Sequence, residues 1–162
     1  MRGSLLGTFL AAAALLVACS ASLADRERDA RAALDGRNWI LARSLAEEAL
    51  RSPNTGSDPA LEWRLEQIRL EALAGDKQGA DIVASLARLA TSHPQQATPA
   101  LYRALADKLK TAGDTGSAVA VLVAGDQRFP AEHEVFAEAI RSLQQRGLNP
   151  AETERLKALG YL

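Results

Sequence analysis

Three alanines, Ala42, Ala80 and Ala118, stand 38 residues apart. Gly75 and Gly113 keep the same spacing, and Gly36 falls one residue off it. Each glycine is followed within two residues by a helix-capping type, Asn38, Asp76 or Asp114. A helix that ends on a left-handed glycine, followed by a helix that opens on an Asx cap, makes a helical hairpin. The alanine shortly after is small enough for two antiparallel helices to approach closely. Between these hairpins, Asp58-Pro59 and Thr98-Pro99 each set a cap before a proline at the first helical position, and Asn149-Pro150 has the same grammar.

The boundaries that follow are helices over about 26–35, 38–51, 59–74, 77–92, 99–112, 115–128, 131–146 and a short 150–159. Apolar residues keep helical spacing at Leu61, Leu65, Ile68 and Ala72, at Leu101, Leu105 and Leu109, and at Phe136, Ile140 and Leu143. Alanine, leucine, arginine and glutamate dominate, which favours helix throughout. The one strand-like run, Val119-Ala120-Val121-Leu122-Val123, lies inside a helical frame and reads as buried helix. The expected fold is all-α, a solenoid of about three and a half helical hairpins.

At this point the chain resembles the tetratricopeptide repeat (TPR) family. Tyr102, Leu105, Ala106, Leu109, Gly113, Asp114, Ala118, Leu122 and Pro130 fall at that family's signature spacings. A first repeat matches over Trp39, Ala42, Ala46, Ala49 and Leu50, and a second over Gly75, Asp76, Ala80 and Ala87, with Arg64 where an aromatic is usual. A last hairpin begins with Phe136 and Ile140 and departs after Gly147. The resemblance covers roughly residues 26–147. The family's period is about 34 residues, shorter than the spacing here, so the domain at 26–162 reads as TPR-like. The tail from Leu156 to Leu162 extends a capping helix and docks its apolar end on the solenoid.

The start of the chain carries a second resemblance. Leu5 to Ala18 is uncharged and mostly apolar, follows Arg2, and is short for a membrane span of about 20 residues. It ends in Leu16-Val17-Ala18-Cys19, which resembles the lipobox of bacterial lipoproteins. That resemblance implies a signal peptide over 1–18, cleavage between Ala18 and Cys19, lipidation of Cys19, and a short tether over 19–25. Ser20 after the cysteine implies the outer membrane, on the periplasmic side. Two other readings remain open: cleavage after Ala24 to release a soluble protein, or an uncleaved anchor. Cys19 is the only cysteine, so no intramolecular disulfide is available.

Residue chemistry points away from catalysis. Lys and Arg total 19 and Asp and Glu 20, a net charge of −1, which offers no basic excess to nucleic acid. His93 and His133 read as exposed turn residues, and no ligand spacing for a metal is visible. Gly113-Asp114-Thr115-Gly116 lacks the lysine of a phosphate loop and reads as a turn. No serine sits in a nucleophile elbow. Glu47-Glu48 and Arg26-Glu27-Arg28-Asp29 read as solvated charge, and Trp39, Trp63 and Tyr102 as packing aromatics. No cofactor, metal or enzymatic activity is therefore expected.

What remains is protein binding by polar residues on the inner face of the first helix of each hairpin. Arg103, Asp107 and Lys110 form one stripe at i, i+4 and i+7. Glu134, Arg141 and Gln144 are their counterparts in the last hairpin. The first stripe is net positive and suits an acidic peptide. By resemblance to TPR lipoproteins, the expectation is a scaffold or adaptor for an envelope complex, or a structural subunit of one, with a protein or peptide partner and a lipid tie to the membrane.

Overall fold

A computed structural model describes residues 22–145 and 147–162, apart from the Arg155 side chain. Ala18 and Cys19, on which the lipidation reading rests, lie outside the described residues. Among the described residues there are eight α-helices and no strand. They are α1 (Leu23–Asp35), α2 (Trp39–Leu50), α3 (Pro59–Gly75), α4 (Gly79–Ser92), α5 (Pro99–Thr111), α6 (Thr115–Arg128), α7 (His133–Gln144) and α8 (Pro150–Ala158). Short 3-10 turns at Thr55–Ser57 and Pro130–Glu132 precede α3 and α7.

Local chemistry sets most helix starts. The side chains of Asn38, Asp58, Thr98 and Asp114 each accept a hydrogen bond from a backbone N–H in the first turn of α2, α3, α5 and α6. Ser22 with Asp25, and Asn149 with Glu152, close reciprocal capping boxes. Pro59 and Pro99 occupy first helical positions, where no N–H partner is needed. The Val119–Val123 run is buried helix within α6, apart from a half-buried Ala120.

Three turns close by one hydrogen-bond pattern. The N–H groups of Asn38, Gln78 and Asp114 reach back five residues to Ala33, Leu73 and Leu109 carbonyls, each at 2.9 Å. The same bond joins Tyr161 to Leu156 at 3.0 Å. This pattern needs a left-handed residue, but glycine supplies it only at Gly113 and Gly160, both with φ near +81°. In the first two turns it is Arg37 (φ +58°) and Lys77 (φ +59°). Left-handed backbone costs a residue with a Cβ about 1–2 kcal/mol.

The repeat frame is therefore not uniform. The first residues of α2, α4 and α6 are 40 and then 36 positions apart, and the sequence spacing of 38 is their average. The second hairpin is displaced by two residues from its expected register. Gly75 ends α3, and Asp76 is that helix's C-cap, bridging Arg43 at 3.5 Å. Gln78 is the N-cap residue of α4, without a side-chain capping bond. Ala80 and Ala87 are exposed. With caps aligned, the buried series becomes Ala42, Ile82 and Ala118; Ala46, Leu86 and Leu122; Ala49, Leu89 and Gly125.

Helices pack against their neighbours and next-but-one neighbours: α1 on α2 and α3, α3 on α2, α4 and α5, α6 on α4, α5 and α7. α3 belongs to two apolar clusters. Leu61, Leu65, Ile68 and Ala72 join the core with α1 and α2, while Leu70, Leu73 and Ala74 join the larger core reaching to Tyr161. Charged residues near the chain's start pair between helices: Arg26 with Glu48 at 3.0 Å and Glu27 with Arg64 at 3.2 Å. No helix among the described residues is long and apolar enough to cross a membrane.

Candidate functional site

α5 turns Tyr102, Leu105, Ala106 and Leu109 into the core. The opposite face of that helix then carries Arg103, Asp107 and Lys110 at the spacing of one stripe. α7 is fixed in the same way by Phe136, Ala137, Ile140 and Leu143. Between the two helices runs an open groove of about 510 Å³, whose polar wall includes Arg103, Asp107, Lys110, Glu138 and Ser142, with Val135 as an exposed apolar residue.

The α5 stripe thus lines a groove, and the α7 stripe does not. Glu134, Arg141 and Gln144 are exposed on the other flank of α7, with Glu134 and Arg141 3.9 Å apart. At 100° per residue, measured from the buried Phe136 stripe, these three fall on the side away from Val135, Ala139 and Ser142. Sequence spacing gives a stripe but not its flank.

The groove is also not net positive. Lys110 is held by Asp107 at 2.5 Å, and Glu138 enters from α7 to balance Arg103. Two cations and two carboxylates line it, which suits a polar or zwitterionic segment better than a strongly acidic one.

A polar cluster that the sequence spacing gave no hint of lies at the far end. Asp126 on α6 is nearly buried and accepts a short hydrogen bond from the Tyr161 hydroxyl, while His133 Nδ1 lies 3.0 Å from the same carboxylate. The His133 ring stacks on Tyr161 at 6.0 Å. His133 is exposed as expected but is tied to α6 through Asp126, and the tail docks through Tyr161 and Leu156, leaving Leu159 and Leu162 exposed. These residues are 7 and 35 positions from Asp126, so no local pattern joins them. His93 caps the end of α4 and lies 3.6 Å from Glu62. No group of three or more His, Cys, Asp or Glu among the described residues is arranged to hold a metal ion.

Burial, then the Asp126 contact, pushes the Tyr161 hydroxyl well above its ordinary value of 10.0; burial raises Tyr102 as well. Folding thus favours the protonated phenol. Its contribution is fully present below the unfolded pKa and is lost as pH rises through the folded one. Denaturation midpoints between about pH 9 and 11 should fall with rising pH, and Tyr161→Phe should flatten that slope. An unchanged slope in Tyr161→Phe would remove the Tyr161 hydroxyl as its cause.

No protein-family model, no curated protein and no solved structure matches the chain.

Proposed function

We propose that this chain is a membrane-anchored envelope lipoprotein whose TPR-like solenoid is a protein-interaction scaffold or adaptor. Cys19 carries the lipid, Ala18-Cys19 is the cleavage point, and the domain faces the periplasm from the outer membrane. The partner is a segment of another protein, held as a peptide or helix between α5 and α7. One observation carries this reading above a purely structural one. Two helices pinned by buried apolar residues leave an open groove with Arg103, Asp107 and Lys110 along its wall. Such a surface positions polar groups on rigid elements, and anchoring raises its local concentration.

The structural-subunit reading needs a continuous exposed apolar strip. Large exposed apolar side chains among the described residues are instead divided between α2 (Ile40, Leu41), α7 (Val135) and the tail (Leu159, Leu162). That division favours capture in the groove.

Two experiments test the reading. Intact mass of the membrane-extracted protein should give a mature chain starting at a lipidated Cys19; a lipid-free start at Asp25 would replace the anchor with a soluble periplasmic form. A photo-crosslinking side chain at Ser142, inside the groove, should capture a partner in intact membranes that one at Gln144, on the opposite flank, does not. Reversal of Arg103 and Lys110 to glutamate, which leaves the wall with carboxylates alone, should then weaken that partner roughly three- to tenfold. The fold should hold, because exposed charge changes usually alter stability by less than about 0.5 kcal/mol. Equal capture from both positions, or full affinity after reversal, would remove the groove from the function.

A further inference from the structure

We infer that a second recess, at the turn end of the helices, binds an acidic segment of a partner protein. It has a volume of about 490 Å³ and is lined by Leu34, Arg37, Trp39, Lys77 and Lys108, among others, with Asp107 shared with the α5–α7 groove. The inference rests on the reading of this chain as a protein-binding scaffold, but not on how or where the chain is anchored.

Three observations converge on it. Arg37 and Lys77 are the two non-glycine residues with left-handed backbone among the described residues, and both line this recess. The equivalent third turn closes with Gly113 and the same 2.9 Å hydrogen bond. A side chain is therefore not required by the turn, and a long cation stands in a conformation that disfavours it twice over. Secondly, neither cation makes an ion pair among the described residues, whereas Lys108 is held by Glu71 at 2.9 Å and Lys110 by Asp107 at 2.5 Å. The recess has three cations against the two carboxylates Glu71 and Asp107, and the unpaired charge is Arg37 and Lys77. Thirdly, Trp39 supplies an aromatic wall. Its indole covers Gly75 so closely that a Cβ there would lie 2.6 Å from the ring carbon Cε2, which holds the ring in place.

The occupant follows from that chemistry. A carboxylate matches the guanidinium fork of Arg37 and the ammonium of Lys77, and an apolar side chain beside it matches Leu34 and Trp39. The volume fits a few residues. An anionic lipid surface matches poorly. Lipid recognition uses clusters of about four to eight cations, and here Glu71 and Asp107 stand beside the two free ones.

The test uses the full chain in detergent and a fluorescent ten-residue peptide of alternating Glu and Leu, compared with its Gln-Leu counterpart. The acidic peptide should bind at least about tenfold more tightly, and the difference should shrink as salt rises. Replacing Arg37→Gly and Lys77→Gly together should remove that preference while leaving the melting temperature equal or higher, since glycine accepts both backbone conformations. Arg103→Glu alone, which lines only the other groove and leaves the Lys110–Asp107 pair intact, should leave the preference in place. Equal binding of the two peptides, or of neither, overturns the inference. So does a double-glycine variant that melts lower yet keeps the preference, because the cations then serve the fold. A preference lost only with Arg103→Glu also overturns it and leaves the scaffold reading standing on the other groove. Arg37- and Lys77-dependent capture by phosphatidylglycerol vesicles, without peptide preference, would assign the recess to lipid instead.

Discussion

Phe136→Ala should destabilise the fold by about 3–5 kcal/mol, the range for truncating a buried aromatic. Phe136 is fully buried, and its ring occupies the space that a side chain at Gly125 would take: a Cβ there would lie 2.5 Å from Cε1 and 2.7 Å from Cζ. Tyr102 borders the same point at 3.1 Å and meets Phe129 edge-on at 5.7 Å. Removing the ring leaves a hole under α6 that glycine cannot fill, and little apolar material nearby is free to collapse into it. The effect should reach the groove, because Phe136 fixes the rotation of α7 and hence the positions of Val135, Glu138 and Ser142. Urea denaturation of the variant should show a lower midpoint, and Val135→Ala, at an exposed position, should stay within about 0.5 kcal/mol of wild type. A Phe136→Ala midpoint equal to wild type would mean that α7 is not docked on α6 as described.

Much of the scaffold is legible from local chemistry. Caps at Asn38, Asp58, Thr98, Asp114 and Asn149 work within three residues of themselves, so sequence alone places the starts of α2, α3, α5, α6 and α8 to within a residue. Apolar spacing likewise identifies Leu65, Ile68, Leu105, Phe136 and Ile140 as core. What sequence spacing misses is set by relations between elements. The left-handed position is taken by Arg37 and Lys77 beside available glycines, because the turn is defined by where α2 and α4 dock and not by the best residue for the angle. The flank of α7 that faces α5 across the groove depends on which neighbour covers Phe136. The Asp126, His133 and Tyr161 cluster joins a helix, a helix start and a tail that no period connects. The candidate site is half legible for the same reason: both helices have two exposed flanks, the spacing of Arg103, Asp107 and Lys110 falls on the flank of α5 that lines the groove, and that of Glu134, Arg141 and Gln144 falls on the flank of α7 that does not.

A comparison of Gly79→Leu with Ala80→Leu isolates the register of α4. The even 38-residue spacing makes Ala80 the counterpart of Ala42 and Ala118, both fully buried, and so the position where a larger residue should do harm. In the folded chain Ala80 is exposed and Gly79 is buried at the contact between α4 and α6. A Cβ on Gly79 would overlap the Ser117 side chain and lie 3.2 Å from the Ser117 Cα. Rotation of the side chain relieves only its hydroxyl, whereas the Ser117 Cβ and Cα belong to the helix itself, so α4 and α6 must move apart. Leucine at 79 should therefore cost about 1–3 kcal/mol or more from overpacking, even though it is a better helix former than glycine by up to about 1 kcal/mol. Leucine at 80 meets solvent and should change stability by less than about 0.5 kcal/mol. Chemical denaturation of the two variants side by side decides the matter. If Ala80→Leu proves the more damaging, the buried series through Ile82, Leu86 and Leu89 is displaced, and with it the turn that brings Lys77 to the same recess as Arg37.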